Sequence, residues 1–220
     1  MGKRAPGTIK KSPSFHDDWI RALTTFRYNL IIASRDTAKT TICTQLYLLW
    51  KLQARFFTPY SPPILQAAIS SSQPQGIQKL EGIKKMIRNW DYLAPLYDAR
   101  TEWSKQSIMI DAHQIKTYGA GSEIRGEKNE ILRFETISCD DIIPERPQYS
   151  NQFYYDWFWG AVYPARDIEK GQVNVVGTIR DYNDLLMLIW KHAPSFWKGR
   201  FPITGDIDII EPEGLPLLVN

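Results

Sequence analysis

The chain has 220 residues, enough for one substantial hydrophobic core or for a core with a small subdomain. Its hydrophobic share of 43% and charged share of 23% are those of an ordinary globular protein, which excludes a disordered chain. The net charge of +3 is too small to demand a polyanionic partner, so arguments about partners depend on local sequence.

The sequence also argues against a membrane or secreted protein. No apolar stretch approaches the roughly 20 residues that cross a bilayer, and the first residues lack a signal-peptide pattern. Cys43 and Cys139 lie far apart in apolar runs and are predicted to be reduced core residues of a cytoplasmic protein.

The first residues form a tail and a short helix. Residues 1–14 are rich in Lys, Arg, Gly and Pro and are predicted to be a flexible basic tail. A helical segment runs from Phe15 to Leu23. The rings of Phe15 and Trp19 suit either stacking on a nucleotide base or core packing.

The stretch Tyr28–Trp50 combines a strand, a polar turn and a helix. Leu30–Ala33 is apolar and β-branched, and the turn that follows ends in Lys39, Thr40 and Thr41. This is the layout of a P-loop, in which loop amides and a helix N-terminus hold phosphates. The lysine reaches the β- and γ-phosphates, and the hydroxyl next to it ligates Mg²⁺.

Two glycines of the P-loop pattern are absent. The usual sequence is G-x-x-x-x-G-K-[ST], and Ala33 and Ala38 stand at both glycine positions. Glycine tolerates positive φ and close approach to phosphate more freely than alanine does. These residues alone therefore leave two interpretations open, a nucleotide-binding loop or a polar turn that contains Lys-Thr.

A second strand and a long helix follow. Ile64–Ile69 is predicted to be a strand that ends in a serine-rich turn, and Gln75–Asn89 has helical periodicity. The helix carries basic residues that are predicted to face solvent, namely Lys79, Lys84, Lys85 and Arg88. Ser107–Ile110 and Ile115–Tyr118 are predicted to be paired short strands.

The glycine-punctuated loop Gly119–Asn129 contains one arginine, Arg125. The residues leave two interpretations open, an arginine directed at a phosphate or a surface arginine in a loop.

The predicted strand Phe134–Cys139 ends in paired acids, Asp140 and Asp141, and Glu145 follows. Carboxylates at this position hold the Mg²⁺ shell and orient or deprotonate the attacking water in P-loop enzymes. A capping turn would also use such residues. Their order along the chain, after the Lys-Thr loop, favours the nucleotide-binding interpretation.

The last elements are a strand and a helix. Val173–Val176 is a predicted strand that runs into Gly177 and Thr178, and a helix is predicted over Asn183–Lys191. Residues 194–220 have weak periodicity and are predicted to form a lid or linker after a domain that spans residues 15–193.

Five motifs in this order resemble the ATPase domain of the large terminase subunit of tailed bacteriophages. They are R-D-T-A-K-T at Arg35–Thr40, ILQAAISSS, G-A-G-S-E-I-R-G at Gly119–Gly126, the pair Asp140-Asp141, and V-V-G-T at Val175–Thr178. Such terminases place an arginine early in the P-loop and tolerate loss of its glycines.

The resemblance implies an α/β fold, a P-loop NTPase of the ASCE type with a mainly parallel sheet, flanking helices and a small lid. It implies ATP hydrolysis with Mg²⁺ that drives double-stranded DNA into a procapsid in the host cytoplasm. The implied partners are the portal protein, the small terminase subunit and further copies of the chain. The copies form a ring, usually a pentamer, and the isolated chain is expected to be a monomer.

The resemblance also implies roles for single residues. Mg²⁺ would be held by Thr40 and Asp140, Arg125 would reach a neighbouring subunit's ATP, and Gly177 with Thr178 would couple hydrolysis to movement. The implied nucleotide-binding residues are Arg35, Asp36, Thr37, Ala38, Lys39, Thr40 and Thr41.

Two features depart from the family pattern. The family's catalytic glutamate is replaced by Asp141, so we expect Asp141 to be the base, with Glu145 as the second choice. The residues after 193 are too few for the nuclease domain of complete terminases, so no DNA cleavage is expected. A helicase-like translocase and an assembly module with a degenerate nucleotide site are the alternatives.

Overall fold

The structure is a computed structural model that describes residues 12–98, 101–124, 132–202, 204 and 206–212. Its described strands form one sheet in the order β3-β4-β5-β2-β6-β7-β1-β8-β9. The strands are β1 (Tyr28–Ala33), β2 (Leu65–Ser70), β3 (Thr101–Trp103), β4 (Ser107–Ile110), β5 (His113–Gly119), β6 (Phe134–Asp140), β7 (Gln172–Gly177), β8 (Trp197–Phe201) and β9 (Asp208–Ile210). The six strands from β5 to β8 in this order are parallel, and the pairs at the two edges are antiparallel.

Helices cover both faces of the sheet. The α-helices are α1 (Phe15–Thr25), α2 (Tyr47–Phe56), α3 (Gln73–Asn89), α4 (Ala94–Asp98), α5 (Asn151–Trp157), α6 (Tyr163–Ala165) and α7 (Leu185–His192). Two π-helical segments, Thr40–Leu46 and Phe158–Val162, run directly into α2 and α6, and a short 3₁₀ turn spans Asp91–Leu93. The predicted mainly parallel sheet with flanking helices is therefore confirmed.

The central strands are buried on both faces, which explains their continuous apolar sequences. In β1, Leu30 and Ile32 point into a core formed with α5 and α7, whereas Ile31 and Ala33 point into a core formed with α1. This alternation follows from the two-residue period of a strand. A third core lies between α2, α3 and the strands β4 and β5.

β8 lies inside the sheet beside β1, and β9 follows at the edge. Residues 197–201 therefore belong to the sheet and not to the lid or linker that was predicted to begin at residue 194. The strand was missed because it is only five residues long and contains Gly199 and two charged residues, Lys198 and Arg200. Lys198 is buried because its ammonium donates to the carbonyl of Trp190, at 2.8 Å.

Asp184 caps α7 and fixes the turn that enters it. Its carboxylate is buried and accepts hydrogen bonds from the backbone N–H of Met187 at 3.0 Å and of Arg180 at 2.9 Å. The cap therefore connects α7 to the segment that follows β7.

We predict that Asp184→Ala lowers the free energy of unfolding by about 1–2 kcal/mol, because it removes a buried N-cap and leaves backbone donors unpaired. Urea denaturation followed by circular dichroism measures this change. Ser150→Ala removes the N-cap of α5 and is the matched control. Its cap bond is exposed, so its loss is expected to be smaller. Equal losses in the two variants would contradict a special role for the Asp184 cap.

Candidate active site

A cavity of about 890 Å³ lies where the carboxyl ends of β1, β2, β6 and β7 meet. Ligands of open parallel sheets bind at this edge of the fold. The cavity is lined by several of the predicted site residues, namely Arg35, Asp36, Lys39, Asp141, Glu145 and Thr178. It is also lined by Ser71, Gln75 and Arg180, to which the sequence analysis gave no role.

The loop between β1 and the first π-helical segment adopts left-handed backbone at two positions. Asp36 has φ of 63° and Ala38 has φ of 62°. Ala38 stands where the usual P-loop has glycine, so the chain keeps a positive φ there without the residue that favours it. The helical segment begins directly after Ala38, as the hydrogen bond from the Ile42 N–H to the Ala38 carbonyl at 3.0 Å shows.

Lys39 is buried at the floor of the cavity, with a side chain only 8% exposed. Its ammonium lies 3.6 Å from the Asp141 carboxylate. The loop thus brings a lysine from the end of β1 to an acid from the end of β6. An anionic phosphate in the cavity would compete with Asp141 for this cation.

Asp140, the last residue of β6, is fully buried. Burial raises the pKa of its carboxyl group, and the charge of Asp141 adds to this effect. The Lys79 ammonium and the Thr40 hydroxyl act in the opposite direction and favour the ionised form. The predicted Mg²⁺ ligands Thr40 and Asp140 are therefore neighbours in the fold.

Lys79 pairs with Asp140 from helix α3. Its Nζ lies 2.7 Å from Asp140 Oδ2 and donates to the Asp140 carbonyl oxygen, also at 2.7 Å. The prediction that Lys79 and Lys84 face solvent is wrong. Both lysines are largely buried, and Lys84 donates to Glu81 and to the Ser104 carbonyl.

The burial of Lys79 could not be predicted from the sequence, because helical periodicity places this residue outside the apolar stripe. Its long aliphatic stem carries the ammonium inward to Asp140 at the end of β6, although such stems more often carry the charge out to water. The carbonyl of Lys79 also accepts from Gln45 Nε2 at 3.0 Å. This one residue therefore contacts both the helix that follows the loop and the end of β6.

Asp141 connects the loop to the end of β7. It has φ of 48°, and its backbone N–H donates to the Val176 carbonyl at 2.9 Å. Its Oδ1 accepts from the Thr178 N–H at 3.2 Å, while the Thr178 hydroxyl donates to the Ala33 carbonyl at 2.9 Å.

Gly177 permits the close approach of β7 to Asp141. A Cβ at this position would lie 2.9 Å from Leu186 Cδ1 and 3.4 Å from Asp141 Oδ1. The predicted coupling residues, Gly177 and Thr178, are thus in contact with both β1 and the acid after β6.

Arg35 and Glu145 form an exposed ion pair at the mouth of the cavity. The Arg35 guanidinium holds the pKa of Glu145 below its ordinary value, and Arg180 contributes in the same direction. Glu145 is consequently an ionised carboxylate whose partner is a residue expected to bind phosphate.

Arg125 lies outside the described residues. The start of its loop is fixed, because Ile124 is buried and the Trp157 indole N–H donates to the Ser122 carbonyl at 3.0 Å. Of the predicted nucleotide-binding residues 35–41, Arg35, Asp36 and Lys39 line the cavity, whereas Thr37, Ala38, Thr40 and Thr41 are not among its lining residues.

The donors fit a magnesium ion that is shared with a phosphate ligand. Asp140 Oδ2 pairs with the Lys79 ammonium, but a carboxylate has about four lone-pair sites, so acceptor capacity remains for a metal ion. Among the described residues, no group of three or more His, Cys, Asp or Glu side chains is placed to hold a metal. Mg²⁺ commonly binds through one or two carboxylates and completes its shell with phosphate oxygens and water.

The fold and this site define a P-loop NTPase architecture. The Lys-Thr loop follows β1, the paired acids follow β6, and β7 lies between those two strands. Within the part of the chain that the structure describes, no helix is both long and apolar enough to cross a membrane.

The solved structures to which this chain is similar include large terminases of bacteriophages. The chain is similar to the ATPase domain of the large terminase of Thermus phage P74-26, with 12% identity and a TM-score of 0.60 over 87% of this chain and 81% of that one. It is also similar to the large terminase of bacteriophage HK97, with 15% identity and a TM-score of 0.54 over 85% of this chain. The chain spans 38% of the length of the HK97 protein.

These structural similarities confirm, at the level of the fold, the resemblance to large terminase ATPase domains that the motifs indicate. No protein-family model matches the chain. No curated protein matches it either.

We predict that Lys79→Met lowers the free energy of unfolding by about 3–5 kcal/mol, because it leaves the Asp140 charge buried without a partner. Chemical denaturation in the absence of nucleotide measures the change. Lys85→Met, at an exposed lysine of the same helix, is the matched control and should change stability little. In an Asp140→Asn background the cost of Lys79→Met should shrink, and an undiminished cost would contradict the pairing.

Proposed function

We propose that this chain is an ATP-hydrolysing motor domain that moves double-stranded DNA into a viral procapsid. The observation that carries the proposal is the meeting of Lys39 and Asp141 in one cavity, after a loop with left-handed backbone at Asp36 and Ala38. The buried carboxylate of Asp140 lies directly beside this pair in the chain. The terminase-like fold supports the same function.

The nucleotide is proposed to bind along the loop of residues 35–41. Backbone N–H groups of the loop and of the following helix would donate to the phosphates, because the partial positive charge at a helix N-terminus favours an anion. Lys39 would neutralise the β- and γ-phosphates, and Arg35 would leave Glu145 for a phosphate oxygen. Thr40 and Asp140 would hold Mg²⁺, which when bound neutralises charge on the phosphate oxygens.

In the proposed reaction a water oxygen forms a bond to the γ-phosphorus while the bond to the β,γ-bridging oxygen breaks. ADP and inorganic phosphate are the products. Asp141 is the favoured base because it lies in the cavity, 3.6 Å from Lys39, where its Oδ1 is held by Thr178. Glu145 is the second choice, since its carboxylate is engaged by Arg35 at the exposed mouth.

The contacts of Thr178 support a proposal for coupling. Its N–H binds Asp141, and its hydroxyl binds the carbonyl at the end of β1. Loss of the γ-phosphate would change the position of Asp141 and Lys39, and Gly177 with Thr178 would carry that change to β7. The movement of DNA would be driven by this displacement.

The proposed assembly is a ring of copies of this chain at the portal protein, with the small terminase subunit as a further partner. Arg125 is proposed to reach the ATP of a neighbouring copy. An arginine supplied in this way neutralises charge that develops on the transferred phosphoryl group.

We expect Lys39→Ala to reduce ATP hydrolysis by at least about 100-fold, because the variant lacks the cation at the transferred phosphoryl group. Release of ³²P-labelled phosphate from γ-labelled ATP measures the rate. Lys170→Ala changes an exposed lysine just before β7, at the amino end of the strand and therefore far from the cavity. This variant should keep wild-type activity. A wild-type chain that neither binds nor hydrolyses ATP would exclude the motor function and favour an assembly module.

The identity of the base is tested by Asp141→Asn and Glu145→Gln. If Asp141 is the base, Asp141→Asn lowers kcat by about 10²- to 10⁴-fold, the range that general bases contribute. Glu145→Gln should then lower kcat less than about tenfold, because it removes only the partner of Arg35. The opposite ranking would assign the role to Glu145. Titration with a fluorescent ATP analogue separates either effect from a loss of binding.

A further inference from the structure

The loop keeps its two left-handed residues without glycine. Asp36 and Ala38 flank Thr37, and a left-handed conformation is unfavourable for a residue that carries a Cβ. Such backbone persists only where the surrounding contacts hold it in place. The contacts of Thr37 therefore decide whether the loop stays in this conformation.

Thr37 is held on both sides. Its hydroxyl donates to the Ser34 carbonyl at 2.8 Å, which closes the loop internally. Its carbonyl oxygen lies 2.8 Å from Nε2 of His16, a residue of helix α1 that is 21 positions earlier in the chain. A carbonyl can only accept, so Nε2 carries the proton.

The second ring nitrogen of His16 is also engaged. Nδ1 lies 2.6 Å from the Ser12 hydroxyl, and in the tautomer that carries its single proton on Nε2 it accepts from that hydroxyl. The imidazole thus uses one nitrogen as an acceptor from the segment before α1 and the other as a donor to the loop.

Packing fixes the direction in which His16 points. The residue is 6% exposed, and its ring lies 4.7 Å from the ring of Phe15 and 4.9 Å from that of Trp19. Trp19 is fully buried and packs edge-on against Phe201 of β8 at 5.5 Å. The helix that carries His16 is therefore anchored to the sheet, and Phe15 and Trp19 are engaged in packing.

We propose that His16 is a positioning residue that holds the strained loop open for phosphate and so replaces the conformational preference that glycine would supply at Ala38. The inference rests on the proposed nucleotide site, but the restraint itself exists in the nucleotide-free protein. His16 binds the carbonyl of Thr37, which lies between the two left-handed residues. A single hydrogen bond at this point therefore restrains the backbone of both Asp36 and Ala38.

The first test compares His16→Ala with His16→Gln. In the nucleotide-free protein, His16→Ala should speed hydrogen–deuterium exchange of amides in residues 35–41, whereas the amide of His16→Gln can donate to Thr37 and should restore protection. His192→Ala, at an exposed histidine that ends α7, is the matched control and should leave exchange unchanged. Unchanged exchange in His16→Ala would overturn the proposal, even if the chain bound no nucleotide.

The second test uses glycine at the strained position. His16→Ala should weaken binding of a fluorescent ATP analogue by about fivefold, the effect of one net hydrogen bond. In an Ala38→Gly background the same change should cost less than about twofold, because glycine relieves the strain at Ala38 that His16 opposes. Equal losses in both backgrounds would show that His16 only supports α1 and would overturn the proposal. Absence of nucleotide binding in the wild type would instead contradict the proposed function, and the exchange experiment would still test His16.

Discussion

The buried charge of Asp140 is the constraint on which the site depends. A carboxylate without solvent exposure needs a partner, and Lys79 supplies one at 2.7 Å. To do so, α3 must lie against the helix that follows the loop, and Gln45 fixes that contact through the Lys79 carbonyl. The same carboxylate is next to Thr40 and is one residue from Asp141. Satisfying one buried charge thus brings together α3, β6 and the loop after β1.

Around this charge, Asp141 and Thr178 form a continuous set of contacts across the sheet. Lys39 approaches Asp141, the Thr178 N–H binds Asp141, and the Thr178 hydroxyl returns to the carbonyl of Ala33. The ends of three parallel strands are therefore connected by side chains that also line the cavity. A ligand that attracts Lys39 would weaken its contact with Asp141, and the proposed coupling rests on the contacts that connect Asp141 to Thr178.

Much of the fold could be predicted from sequence because parallel strands that are buried on both faces have continuous apolar runs, as in β1 and β7. The positions of Lys39, Asp140 and Thr178 followed from motif order. Hydrophobic periodicity did not predict β8, because the buried Lys198 makes this strand look polar in sequence. It also did not predict the burial of Lys79, whose stem reaches inward from a helix face that was expected to be solvated. The contact between His16 and the loop could not be predicted, because its partner, the Thr37 carbonyl, belongs to the backbone.

The most direct test of the account is a structure determined with Mg²⁺ and a non-hydrolysable ATP analogue. We expect the β- and γ-phosphates to lie at the amides of residues 37–41, with Lys39 in contact with phosphate and Arg35 separated from Glu145. Asp140 and Thr40 should both lie in the metal shell, and the positive φ of Ala38 should be unchanged. A nucleotide bound elsewhere, or a loop that changes its backbone conformation to admit phosphate, would contradict the account.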